Sequence, residues 1–180
     1  MSSGDGIQLL ILVLLLLMSA FFSSTETALT TVNKIRVRTL AENGDKQAEY
    51  VLKIIEDPSK MLSAILIGNN LVNNFAASLT TALAIKLFGQ GALGIVTAVL
   101  TVIILIFGEI TPKSVAKDTP ERFALFSAPF IRLWILILTP LNFLFSQWKK
   151  LVSRFFKTDD DAKMSHEELL LFMEDVEQDG

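Results

Sequence analysis

The sequence predicts an all-α integral membrane fold: three transmembrane helices, juxtamembrane belt helices and a short cytosolic acidic helix. Two observations carry that reading. The chain has 180 residues of which 51% are apolar, and the apolar ones are gathered into long runs. Ile7–Phe22 is interrupted only by Gln8, Ser19 and small residues, and Gly94–Phe107 carries no charge. Such runs suit a hydrocarbon layer about 30 Å thick rather than a soluble core. The basic residues then fall in patches beside the runs: Lys34, Arg36 and Arg38; Lys113 and Lys117; and Lys149, Lys150, Arg154 and Lys157. These patches mark the cytoplasmic side.

Composition also excludes. There is no cysteine, so disulfides and thiolate metal sites are ruled out. The single histidine, His166, lies in the polar tail, which argues against zinc or copper held by imidazole. Any metal here meets oxygen. A net charge of -3 speaks against nucleic acid as a partner. With no histidine in the spans and no nucleophile beside a base, an enzyme is not expected.

The first helix is expected over about residues 7–31, entering from outside and ending before Lys34. A cleaved signal peptide would carry positive charge ahead of its apolar stretch, whereas Met1–Gly6 offers only Asp5. Residues 33–56 are polar, with Asn43-Gly44-Asp45 as a turn. Their apolar positions Ile35, Leu40, Tyr50, Val51, Ile54 and Ile55 predict short amphipathic helices on the inner surface, a solvated connector being the other reading. Asp57-Pro58-Ser59 is a helix start, since proline is tolerated in a first turn and Asp or Ser can cap the free N–H groups. The second span follows over about 60–88, Gly89-Gln90-Gly91 turns the chain outside, and the third returns over about 92–110. Pro112 should end or kink it. The N-terminus is thus placed outside and the C-terminus in the cytoplasm, in an inner or plasma membrane.

Phe123–Trp148 is apolar enough for a fourth span, yet a crossing would carry Lys149, Lys150, Arg154 and Lys157 to the outer face. Pro129 and Pro140 should also divide it into pieces of about 15 Å, too short to cross. Residues 120–157 are therefore expected as helices along the inner leaflet, anchored by Trp148 and the basic residues. From Thr158 the chain turns acidic. Ser165 and Glu168 fit a capping box, and Leu169, Leu170, Phe172, Met173 and Val176 recur at helical spacing.

Polar residues inside apolar spans are costly, and here they cluster. The first span carries Ser23-Ser24-Thr25-Glu26-Thr27, the second Asn69, Asn70, Asn73 and Asn74, and the third ends in Gly108-Glu109. Measured from the basic markers at about 1.5 Å per residue, Ser23 lies about 16 Å in, Asn69 about 13 Å, Asn73 about 20 Å and Glu109 about 12 Å. One layer contains them all. Asn69 and Asn73 stack on one helix face and Asn70 and Asn74 on the next. Glycine at 108 allows close approach, and Pro112 frees backbone carbonyls. Hydroxyl, amide and carbonyl oxygens with one or two carboxylates suit magnesium, calcium or sodium. Interhelical hydrogen-bond glue is the plainer reading for each asparagine or serine alone. Glu109 could simply pair with Lys113, and Glu26 could be a helix-end charge.

Phe21-Phe22-Ser23-Ser24-Thr25-Glu26-Thr27-Ala28-Leu29, Ile67-Gly68-Asn69-Asn70-Leu71-Val72-Asn73 and Gly108-Glu109-Ile110-Thr111-Pro112-Lys113 resemble the three signature segments of the DUF21 transmembrane domain. That domain belongs to the CorC and cyclin M (CNNM) magnesium transporters, and the match runs in order over about residues 7–150. The resemblance implies a homodimer and magnesium efflux coupled to sodium entry. It implies Ser23, Asn69, Asn73, the Gly108 carbonyl and Glu109 as ligands, with Ser24, Asn70, Glu26, Asn74 and Lys113 as secondary candidates. Asn74 stands where the motif has an apolar residue. The family continues into an acidic helical bundle and nucleotide-binding CBS domains. Residues 158–180 are expected to begin that bundle, with 1–157 as the transmembrane domain. The CBS domains, and ATP with them, would belong to a longer protein. The competing reading is a non-transporting membrane sensor or scaffold stabilised by a bound ion.

Overall fold

The computed structural model describes residues 3–155, with side chains over residues 4–140. The acidic segment 158–180 and the side chains of Trp148 and the basic residues after it lie outside this description. The chain forms two compact units, Met1–Leu138 and Thr139–Gly180; the described residues of the second are the C-terminal part of one long helix.

Among the described residues every regular element is helical. An apolar run in hydrocarbon must satisfy its own backbone groups, and a helix does so within one segment. Helix α1 is Ser3–Thr31 and α4 is Pro58–Phe88. Between them lie α2 (Lys34–Glu42) and α3 (Lys46–Ile55), as their amphipathic pattern predicts. Their starts are capped: the Asn33 side chain accepts from the N–H groups of Ile35 and Arg36, and that of Asp45 from Gln47 and Ala48. Gly44 supplies the turn between them at φ 92°. Asp57 Oδ1 accepts from the Lys60 N–H at 3.0 Å and Pro58 stands in the first turn of α4, as the start signal predicts.

The third apolar stretch departs from expectation. A short 3-10 turn, Gln90–Ala92, leads into α5 (Leu93–Ile103), a π-helical segment Ile104–Ile110, and α6 (Thr111–Asp118). Pro112 does not end this helix. The Thr111 N–H reaches back to the Ile106 carbonyl, one residue farther than an α-helix would. Pro112, with no N–H, enters at the first turn of α6, where a missing donor costs least.

Helix α7 is Pro120–Phe155, unbroken at Pro129 and Pro140, which corrects the expected division into short pieces. A proline is accommodated when packing around it holds the turn in place. Near Pro129, Ser127 Oγ donates to the Ala124 carbonyl at 3.3 Å. Ala124, Ser127, Ala128 and Ile131, at helical spacing, are fully buried and hold that face in place. Among the described residues four helices are long and apolar enough to cross a membrane, one more than the three expected, the fourth being Pro120–Pro140.

That fourth stretch reaches α2, α3 and the start of α4, and its rings pack on Phe21 and Phe22 of α1. Glu121 pairs with Arg36 of α2 at 3.0 Å, and the Arg132 guanidinium lies 4.3 Å from the centre of the Tyr50 ring of α3. Trp134 Nε1 donates to the Ala64 carbonyl in the first turns of α4 at 2.9 Å. The core sits there too, with Ala28, Leu29, Val37, Ala48, Val51, Met61, Ile65 and Ile131 buried in one cluster. On the other faces Ile7, Leu10, Leu17, Ile95 and Val99 are exposed, as a lipid solvent allows.

Candidate functional site

The site residues sit where α1, α4 and the π-helical segment meet. Gly68 brings α1 and α4 together: a Cβ there would fall 2.5 Å from the Phe22 ring, so only glycine leaves room for that ring. Gly108 does the same for the third stretch, where a Cβ would meet Ser19 Oγ at 3.2 Å and Leu16 Cδ1 at 3.3 Å.

Ser19 Oγ donates to Asn69 Oδ1 at 3.0 Å, so one hydroxyl on α1 touches the first asparagine of α4 and lies against Gly108. On the same face of α4, one turn on, Asn73 Nδ2 approaches Glu109 Oε1 at 3.5 Å. Asn69 and Asn73 are half-buried, whereas Asn70 and Asn74 are exposed on the neighbouring face. Of the two stacked pairs, one therefore looks into the protein and one away.

The serine-threonine run on α1 is sorted in the same way. Thr25 Oγ1 donates to the Phe21 carbonyl at 2.7 Å and Thr27 Oγ1 to the Ser23 carbonyl at 3.3 Å, bonds within their own helix. Glu26 pairs with Lys113 at 3.2 Å, half-exposed. Lys113 is therefore engaged with Glu26 rather than with Glu109. Ser24 is buried beside Ser23. Ser23 is 1% exposed and its Oγ has no hydrogen-bond partner among the described residues. The buried Asn73 Oδ1 has none either. Leaving a buried polar atom unsatisfied costs about 1–3 kcal/mol, so each of these orphaned oxygens points to a ligand or water.

The register sharpens the expected layer. Ser19, not Ser23, stands level with Asn69 and Gly108. Ser23 lies one turn, about 6 Å, toward the C-terminal end of α1. Counting from basic residues places both serines only to within a turn or so, because the chain from Thr31 to Lys34 leaves the helix before reaching the marker. Ser19 is legible in the sequence as the residue four before Ser23 on the same face. Among the described residues no three Asp, Glu, His or Cys side chains gather as a metal cluster. The donor set is neutral oxygens around one carboxylate.

Comparison with known proteins identifies the family. A family model described as the cyclin M transmembrane N-terminal domain matches residues 10–180. A UPF0053 protein of Haemophilus influenzae is 40% identical over 141 residues, covering 78% of this chain and 34% of the relative. A UPF0053 inner membrane protein of Escherichia coli, YfjD, is 36% identical over 155 residues, 84% of this chain and 36% of the relative. The polyamine export protein of Escherichia coli is 26% identical over 163 residues, 83% of this chain and 36% of the relative. The chain thus spans about a third of the length of these relatives.

Proposed function

The chain belongs to the cyclin M transmembrane N-terminal domain family of multi-pass membrane proteins, and on that premise we propose that it carries the cation site of a magnesium exporter driven by sodium entry. The observation that carries this reading is the Asn73–Glu109 contact with the buried, unpartnered Asn73 Oδ1 beside it. Ser19, Asn69, Asn73, the Gly108 carbonyl and Glu109 would hold the ion, with Ser23 one turn inside. Magnesium wants oxygens in near-octahedral array at about 2.0–2.1 Å and gives up water reluctantly. Neutral amide and hydroxyl oxygens replace water without adding charge, and a single carboxylate leaves the ion releasable.

Two parts of the fold support the inner side as the entry. Pro112 has no N–H to give the carbonyls four and five residues back, Gly108 and Phe107, which favours a backbone oxygen there for a cation. Glu26 and Lys113 sit about one turn inside Ser23 and Glu109 on their respective helices, so their ion pair lies across the route in. The contacts of α7 with α2, α3 and the start of α4 favour a belt along the inner leaflet over a fourth crossing. A homodimer belongs to the same proposal. Coupling to ATP would reside in CBS domains of the longer protein.

A second reading has its own observation: one relative is named a polyamine export protein. Carboxylate and amide oxygens also accept from an ammonium. Flux from proteoliposomes loaded with magnesium or spermidine separates the two. Magnesium efflux that requires a sodium gradient and falls at least tenfold in Glu109→Gln and Asn73→Ala is the expected result. Spermidine flux alone would replace the cargo. If both variants keep full flux, the transport site is misassigned; if the unaltered chain moves neither ion yet gains thermal stability from one, the scaffold reading takes over.

A further inference from the structure

A second polar cluster lies at the opposite, outer end of the α1–α4 pair. Asp5, in the first turn of α1, is only 3% exposed, and Lys86 Nζ, in the last turn of α4, donates to its Oδ1. The lysine side chain is itself half-exposed, 53%, so a solvated stem delivers an ammonium to a buried carboxylate. Gln8 Oε1 and Thr80 Oγ1 are buried without a hydrogen-bond partner among the described residues, and Thr80 is 6% exposed.

These groups share one place. Ser19 against Asn69 and Asp5 against Lys86 set the antiparallel register of α1 and α4. In it Gln8 lies about 4.5 Å and Thr80 about 9 Å inward of the ion pair, less than one turn apart in depth. Gln8 continues the row Asp5, Leu12, Ser19 that α1 turns inward, and Thr80 the row Val72, Ala76, Leu83 of α4. The result is a carboxylate and two unpartnered oxygens between two membrane helices, with a cation already at its mouth.

We propose that Asp5, Gln8 Oε1 and Thr80 Oγ1 form an outer cation station through which the exported ion leaves, closed here by the Lys86 ammonium acting as a tethered competitor. The direction of travel rests on the transport reading above; the binding does not. An ion arriving from the central site displaces Lys86, and the lysine's return expels the ion and blocks re-entry from outside.

The test reads binding, not flux. In the purified chain, Glu109→Gln removes the central carboxylate, and thermal unfolding is then followed in magnesium or sodium chloride against choline chloride at equal ionic strength. With Lys86→Gln added, the midpoint is expected to rise about 3–5 °C once the cation reaches ten times its Kd. With Asp5→Asn added as well, that rise disappears. No rise in Glu109→Gln with Lys86→Gln overturns the proposal. Should that pair fail to fold, Lys86→Cys alone serves, because the chain has no other thiol. Its aminoethyl methanethiosulfonate adduct restores an ammonium and should abolish an outer-side cation response that the methyl adduct shows; equal responses from the two adducts overturn the proposal. A chain that binds at this station yet moves no magnesium would remove the transport reading and leave the station intact.

Discussion

The inner half of the molecule and helix α5 are built on opposite terms. Around Phe22–Val32, α2, α3, the first turns of α4 and the start of α7, side chains such as Ala28, Val37, Val51 and Ile131 are fully buried. Aromatic rings pack there in a chain, Phe21 on Phe123 and Phe130, and Phe22 on Trp134. Helix α5 buries no residue, and the whole stretch Gln90–Asp118 is 6% buried over its most apolar window, against 28% for Pro58–Phe88. The difference teaches where this chain holds itself together and where it relies on lipid or a second copy. A well-packed core keeps Ser23 and the first turns of α4 in place, while the stretch that brings Gly108 and Glu109 packs on α1 through its π-helical segment and α6, and α5 itself meets α4 without burying a residue.

The contrast can be tested by substitution, read as thermal or denaturant stability of the purified chain. The largest effect is expected for Ile131→Ala, which empties a fully buried site and should cost about 2–5 kcal/mol. Gly68→Ala comes next. Its new Cβ meets the Phe22 ring at 2.5 Å, and the forced repacking should cost about 1–3 kcal/mol. Asn33→Ala removes a cap from α2 and should cost about 1 kcal/mol, with loss of order confined to residues 34–42 in hydrogen exchange. Val99→Ala, on the exposed face of α5, should stay within about 0.5 kcal/mol. A loss there as large as that of Ile131→Ala would break the contrast and place α5 in a subunit interface.

Much of the architecture was legible because its signals are local. The caps at Asp45 and Asp57, the turn at Gly44 and the lengths of α1 and α4 follow from residues within a turn of one another. The middle of the site was partly legible for the same reason: the spacing of Asn69 and Asn73 puts them on one face whatever surrounds them. The prolines of α7 mislead a reading by sequence. A proline breaks a helix only when nothing holds the turn around it together, and here the buried face of Ala124, Ser127, Ala128 and Ile131 does so. The π-helical segment has no local sign beyond Gly108 and Pro112, since either could equally have ended the helix.

The sequence by itself determined that the chain is helical, lies in a membrane and gathers its polar residues on three apolar stretches. Hydropathy, charge bias and helical spacing are properties of neighbours along the chain. Only the tertiary structure decided which oxygens are left without partners. Thr25 and Thr27 bond back to their own helix, Lys113 takes Glu26, Ser19 takes Asn69, and Ser23 Oγ and Asn73 Oδ1 remain. The physical reason is that a hydrogen-bond partner depends on register between helices, and a shift of one turn, about 5.4 Å, exchanges every partner while leaving each helix unchanged.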